Sequence, residues 1–131
     1  MALQDLPVVL CLDRGGIVGE DGATHHGCYD MAVYRTIPGA VVAAPKDEIE
    51  LKDMMYTAML SDHGPIIIRY PRGNGEGVAW EEHEFTLMPE GKGEILLEGT
   101  DVAVVCAGPV VSRAVEAALE MKTDKGVNPS I

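Results

Sequence analysis

Residues 64–77 read GPIIIRYPRGNGEG. Three isoleucines in succession, with no polar alternation, are typical of a strand buried on both faces of a sheet. Gly64 and Pro65 end the helical pattern that precedes them, and Pro71 with three glycines marks a loop behind them. The stretch therefore predicts a buried strand at residues 66–70 that runs into a glycine-rich loop at residues 71–77.

Earlier in the chain, the same arrangement of strand and loop occurs once more. Residues 6–13, LPVVLCLD, form an apolar run, and residues 14–27, RGGIVGEDGATHHG, hold five glycines in fourteen positions. A weakly helical segment at residues 28–36 and a further apolar run at residues 39–44 follow. Strands that alternate with helices predict βαβ units and a parallel sheet, so the fold class is α/β.

The helix before residue 64 has recognisable start and packing signals. Asp47 suits the N-cap position, and acidic residues in the first turn suit the helix dipole. Apolar side chains then recur at the i, i+3, i+4, i+7, i+8 spacing of a core-facing stripe. The stripe comprises Leu51, Met54, Met55, Ala58 and Met59.

The C-terminal third begins a second βα unit. Residues 101–108 are apolar and β-branched, Pro109 suits the start of a helix, and residues 127–131 follow Gly126 where another strand is expected. We therefore expect three regions: a first domain at residues 1–78 that lacks its N-terminal part, a linker at residues 79–99, and the truncated opening of a second domain at residues 100–131.

Composition excludes several classes of protein. The 131 residues carry ten Lys and Arg against twenty-one Asp and Glu, a formal net charge of −11, which disfavours nucleic acid as a partner. No apolar run approaches the ~20 residues of a membrane span. Three scattered cysteines do not make a disulfide framework, and Cys11 and Cys106 are expected to be small buried apolar residues. We expect a cytoplasmic protein with no membrane partner.

The two glycine-rich loops leave parallel strands at their carboxyl ends, where ligands of such sheets gather. Arg14 and Arg72 follow the two strands, so both guanidinium groups are expected at one rim. A planar fork of five donors suits phosphate or carboxylate. Surface salt bridges in an acidic chain are an equally good interpretation of the same two residues.

Asp21 and His25 lie four residues apart in the first loop and could bind hydroxyls or move protons near neutral pH. The more ordinary interpretation is that these polar side chains hold the loop's own backbone. A metal site is disfavoured, because the cluster His25, His26, Cys28 and Asp30 lacks a paired ligand spacing. His63 and His83 are expected at the surface.

Several motifs occur in order along nearly the whole chain. They are DRGGIVGEDGATHHG at residues 13–27, RTIP at 35–38, APKDE at 44–48 and RYPRGN at 69–74. Together they resemble the signature of the 1-deoxy-D-xylulose-5-phosphate synthase family, whose fold in this region is a parallel-sheet, transketolase-like pyrimidine-binding domain followed by a transketolase C-terminal domain. Other transketolase-like enzymes share the THxG part of this pattern.

The resemblance implies a thiamine-diphosphate transferase that condenses pyruvate with glyceraldehyde 3-phosphate and releases carbon dioxide, in the supply of isoprenoid, thiamine and pyridoxal precursors. It implies that Arg14 and Arg72 hold the sugar phosphate. It also implies that Asp21 and His25 contact the acceptor's hydroxyl and carbonyl oxygens. A homodimer with Mg²⁺ is the family's form.

The sequence also departs from the family. The GDG…N segment that holds the diphosphate and Mg²⁺ is not present, nor are the glutamate and aromatic residues that contact the aminopyrimidine. No cofactor or metal ligand is therefore assigned, and the piece alone is expected to be inactive. The alternative is a stand-alone phosphate-binding, regulatory or interaction module, or another transketolase-like enzyme.

Overall fold

The computed structural model describes all residues, 1–131. The chain divides into two compact units, Met1–Met88 and Pro89–Ile131. The boundaries expected at residues 78 and 99 stay predictions.

The first unit is built on a three-stranded parallel sheet. Its strands are β1 (Val8–Leu12), β2 (Val41–Ala43) and β3 (Pro65–Arg69), in the order β1-β3-β2. The register aligns Leu10 of β1 and Val42 of β2 with Ile67 of β3. Helices α1 (Asp30–Tyr34) and α2 (Glu48–Leu60) connect the strands, which confirms the α/β parallel-sheet prediction.

The core of this unit is the central strand. All five residues of β3 are buried, and Ile68 is completely inaccessible to solvent. Ala58 of α2 packs with Ile66 and Ile68, and further apolar side chains surround this cluster. A strand with neighbours on both edges and a helix over one face explains why the isoleucine run shows no polar alternation.

Helix α2 begins as expected, because the Asp47 carboxylate accepts a hydrogen bond from the Glu50 amide at 2.8 Å. The predicted stripe is confirmed for Ala58, and for Leu51 and Met54, which pack against the core. It is wrong for Met59, which is 76% exposed, and for the marginally exposed Met55. Met55 and Met59 lie to one side of the helical face that contacts the sheet, and a sheet of only three strands does not extend far enough to cover them.

The predicted burial of Cys11 is also wrong, since this residue is exposed. β1 is an edge strand, so its alternate side chains are covered less completely than those of β3. The Cys11 Sγ atom lies 3.5 Å from Met55 Sδ of α2. Cys106, in the second unit, is partly buried.

Residues 78–88 pack against α2 through polar contacts. The His83 Nε2 atom lies 2.9 Å from the Asp53 carboxylate, whose other oxygen accepts from the Thr86 amide at the same distance. Lys52 donates to the carbonyls of Trp80 and His83. His83 was expected at the surface, but it is only partly exposed, because it pairs with a carboxylate from a helix thirty residues earlier.

The second unit contains a parallel pair of short strands, β4 (Val102–Ala103) and β5 (Pro129–Ser130), joined by helix α3 (Val110–Lys125). α3 starts after Pro109 and ends at Gly126, whose φ of 66° is the left-handed conformation that favours glycine. The strand expected at residues 127–131 is present as β5. No helix of the protein is both long and apolar enough to cross a membrane.

Candidate functional site

The two glycine-rich loops follow adjacent parallel strands, β1 and β3, and Asp21 lies between the arginines that they carry. We call residues 14–27 loop A and residues 71–77 loop B. The Nε atoms of Arg14 and Arg72 lie 2.9 Å and 3.1 Å from the same oxygen of Asp21. Three of the four predicted site residues thus meet at one point on the sheet rim.

Each guanidinium has a second acidic neighbour. Arg14 Nη1 pairs with Asp13, and Arg72 Nη1 lies 3.5 Å from Glu20, a largely exposed side chain. The Nη2 group of neither arginine has a hydrogen-bond partner in the chain. The cluster therefore retains two donor groups without a partner, and its exposed ion pairs with Asp13 and Glu20 cost little to exchange for another anion.

Arg69, at the end of β3, organises the backbone beneath this cluster. Its side chain is buried and donates to the carbonyls of Leu12, Asp13 and Arg14, and it pairs with Asp30 at the start of α1. These bonds support Arg14, whose φ of 62° is uncommon for a residue with a side chain. The sequence patterns assign no role to Arg69, although a charge directly after an isoleucine run could have indicated one.

Loop A is further held by its own polar groups. Gly16 and Gly27 exchange backbone hydrogen bonds, and the Val18 amide donates to His26 Nδ1 at 3.1 Å. Gly27 lies so close to Arg69 that any side chain there would overlap the guanidinium. His26 and Asp30 therefore have structural partners, and no group of three or more His, Cys, Asp or Glu side chains is arranged to hold a metal.

His25 lies apart from the arginine pair. It ends a short 3₁₀ turn, Ala23–His25, is exposed, and its Nδ1 atom lies 3.1 Å from Thr24 Oγ1. No hydrogen bond joins its imidazole to Asp21, Arg14 or Arg72. Its ring thus stays available to an external group at the same loop.

Loop B is held at its far end by Glu48, the first residue of α2. Glu48 Oε1 accepts a hydrogen bond from the Gly77 amide at 2.8 Å. This bond, with the neighbouring backbone amides, lowers the pKa of the Glu48 carboxyl below its ordinary value. The side chain is therefore an anion at neutral pH.

The family model for the transketolase pyrimidine-binding domain matches residues 1–77, which include the sheet and both loops. The chain belongs to this family. Among curated relatives, 1-deoxy-D-xylulose-5-phosphate synthase from Bacteroides thetaiotaomicron is 49% identical over 126 residues, covering 96% of this chain and 19% of the relative. The corresponding synthase 1 from Geobacter sulfurreducens is 49% identical over all 131 residues, which cover 20% of its length.

Solved structures give the same result for the fold. A transketolase variant from Pichia stipitis superposes with a TM-score of 0.80 at 29% identity, over 98% of this chain and 19% of that one. A split-gene transketolase, described as an inactive β4 tetramer, superposes with a TM-score of 0.78 at 27% identity. The match covers 98% of this chain and 40% of that one. The chain spans about a fifth of the length of its curated relatives. These relatives are transferases, so the chain belongs to a family of transferase enzymes.

Proposed function

We propose that this chain forms the acceptor-binding part of a 1-deoxy-D-xylulose-5-phosphate synthase, which condenses pyruvate with glyceraldehyde 3-phosphate and releases carbon dioxide. The observation that carries the proposal is the convergence of Arg14 and Arg72 on Asp21 at the sheet rim. Similarity to named synthases over nearly the whole chain supports the choice of reaction.

The arginine pair would bind the phosphate of glyceraldehyde 3-phosphate. Asp21 orients both guanidinium groups through their Nε atoms, and their Nη2 groups can donate to phosphate oxygens. Phosphate would displace the distant contact between Arg72 and Glu20. Anchoring the far end of the substrate fixes the position of its aldehyde, which accelerates the reaction by orientation.

His25 and Asp21 would act on the acceptor's other oxygens. His25 can donate to the aldehyde oxygen as negative charge develops on it, and Asp21 can accept from the adjacent hydroxyl. Thiamine diphosphate, when bound, would supply the nucleophilic carbon. No cluster of His, Cys, Asp or Glu side chains is arranged to hold Mg²⁺, and no residue of this chain is assigned to Mg²⁺ or to thiamine diphosphate.

The wider expectations belong to the same proposal. The synthase would operate as a homodimer in the cytoplasm, with Mg²⁺ and thiamine diphosphate, and residues 1–78 and 100–131 would contribute to two of its domains. The 131-residue chain alone is expected to lack synthase activity.

The test is a chimaeric enzyme, in which this chain replaces the matching 131-residue segment of the Geobacter sulfurreducens synthase. We expect thiamine-dependent formation of 1-deoxy-D-xylulose 5-phosphate from the two substrates. Arg72→Ala should raise KM for glyceraldehyde 3-phosphate by about tenfold or more, because a charged hydrogen bond is lost, and leave KM for pyruvate unchanged. His25→Ala should lower kcat more than it weakens binding.

The matched control is Arg113→Ala, which removes an exposed arginine from α3 in the second unit. A folded chimaera without synthase activity would overturn the assignment of the reaction. An Arg72→Ala variant with the parent's KM for the phosphorylated acceptor would overturn the phosphate role. Calorimetric titration of the 131-residue chain with glyceraldehyde 3-phosphate tests the alternative of a stand-alone anion-binding module, which requires binding without the rest of the enzyme.

A further inference from the structure

Loop B has few means of keeping a fixed shape. Its seven residues are all exposed and include Gly73, Gly75 and Gly77, two of which have positive φ angles. Glycine offers the chain more backbone freedom than any other residue. Arg72 projects from this loop, so the position of its guanidinium depends on what restrains the loop at each end.

The near end of loop B is held by the sheet. The Tyr70 amide donates to the Leu12 carbonyl at 3.0 Å, and the Tyr70 carbonyl accepts from the Gly15 amide at 2.9 Å. The far end is held by Glu48, which accepts from Gly77. Glu48 belongs to α2, a rigid helix whose first turn is capped by Asp47.

Gly75 shows how closely the loop wraps this carboxylate. A Cβ atom at Gly75 would overlap the end of the Glu48 side chain, and its φ is not in the left-handed region. Alanine at this position would therefore suit the backbone but push the carboxylate away from Gly77. The second oxygen of Glu48 is buried without a partner, which is consistent with a side chain enclosed by the loop.

We propose that Glu48 is a positioning residue for acceptor binding. Its carboxylate accepts the hydrogen bond from the Gly77 amide, a contact that we call the clasp, and this restrains loop B so that Arg72 stays at the phosphate site. The proposal rests on the proposed function for its substrate, but the clasp itself is independent of it. Glu48 touches no substrate in this arrangement. Its whole effect is exerted through Arg72.

The experiment uses the same chimaera and compares Glu48→Ala, Gly75→Ala and Glu48→Gln. We expect the two alanine variants to raise KM for glyceraldehyde 3-phosphate by about fivefold to tenfold, with kcat and KM for pyruvate unchanged. Glu48→Gln keeps an acceptor oxygen and should restore most of the affinity. The matched control is Glu50→Gln, since Glu50 lies in the same helical turn but pairs with Lys46 rather than with loop B.

A double-mutant cycle decides whether Glu48 acts through Arg72. The double variant Glu48→Ala, Arg72→Ala should bind the acceptor no more weakly than Arg72→Ala alone. Additive losses, or equal changes in KM for both substrates, would overturn the proposal, because a general structural defect would produce either one.

Amide hydrogen exchange on the 131-residue chain separates this proposal from the proposed function. Exchange at residues 73–77 should accelerate at least tenfold in Glu48→Ala and Gly75→Ala and remain at the parent rate in Glu50→Gln. If exchange accelerates and KM for glyceraldehyde 3-phosphate rises in Arg72→Ala but not in Glu48→Ala, the clasp exists but does not position Arg72, which overturns the proposal. If KM does not rise in Arg72→Ala either, the phosphate role of Arg72 fails. Unchanged exchange would overturn the clasp whatever the enzyme does.

Discussion

Loops A and B both follow parallel strands and both carry an arginine, but they are held in opposite ways. The start of loop A is supported from the protein interior by the buried guanidinium of Arg69, which donates to the carbonyls of Leu12, Asp13 and Arg14. Loop B is exposed and is held from outside by one carboxylate, that of Glu48. The comparison shows that two loops at the same rim of the sheet depend on different supports, a buried guanidinium for loop A and a single carboxylate from a helix for loop B.

The largest effect should come from removing the support of loop A. Arg69→Met deletes three charge-assisted hydrogen bonds to backbone carbonyls, each worth about 1.5–3 kcal/mol, and removes the partner of the partly exposed Asp30, so the loss is ~3 kcal/mol or more. We expect the free energy of unfolding, measured with urea on the 131-residue chain, to fall by that amount. The control Arg113→Met should change it by less than ~0.5 kcal/mol. A loss below ~1 kcal/mol for Arg69→Met would contradict the structural role of the guanidinium.

A smaller loss should follow from crowding the same guanidinium. Gly27→Ala places a methyl group against the Arg69 guanidinium and the Arg14 carbonyl, and overpacking of this kind costs about 2 kcal/mol. Gly19→Ala is the matched control in loop A, because nothing lies within 4 Å of a Cβ atom there. Equal unfolding free energies for the two variants would show that loop A is as adjustable as loop B.

The smallest effect concerns pH. The folded-state pKa of Glu48 is lowered, so its contribution to loop order is fully present above the ordinary value of 4.5 and is lost as pH falls through the folded value. Protection of residues 73–77 against amide exchange should therefore decrease as the pH is lowered below 4.5, and Glu48→Gln should abolish this dependence. In loop A, the amides of Gly15, Gly16 and Gly27 should keep their protection over the same pH change, because they donate to backbone carbonyls, whose charge does not depend on pH. Parallel losses of protection in both loops would contradict the difference between them.

Much of the fold could be predicted, because it depends on local patterns. An uninterrupted isoleucine run indicates a central strand, and Asp47 followed by an amphipathic stripe indicates a helix. The errors have physical causes. Met59 satisfies helical spacing but extends beyond a narrow sheet, and Cys11 lies on an edge strand.

The candidate site could be predicted only in part. That Arg14 and Arg72 lie at one rim follows from strand direction, and the structure places both against Asp21. The partners of His83 and Glu48 could not be predicted, since each lies about thirty residues away in the chain. His25 shows the opposite case, because it is near Asp21 in sequence without a contact between them.

Local sequence patterns are therefore sufficient to predict the order of the elements, the parallel α/β class and the edge of the sheet where the loops gather. These follow from hydrophobic periodicity and turn chemistry, which act over a few residues. The tertiary structure was needed to show that Asp21 aligns the two arginines, that Arg69 supports loop A and that helix α2 holds loop B through Glu48. Such pairings depend on where distant segments meet when the sheet forms, and no local pattern encodes that position.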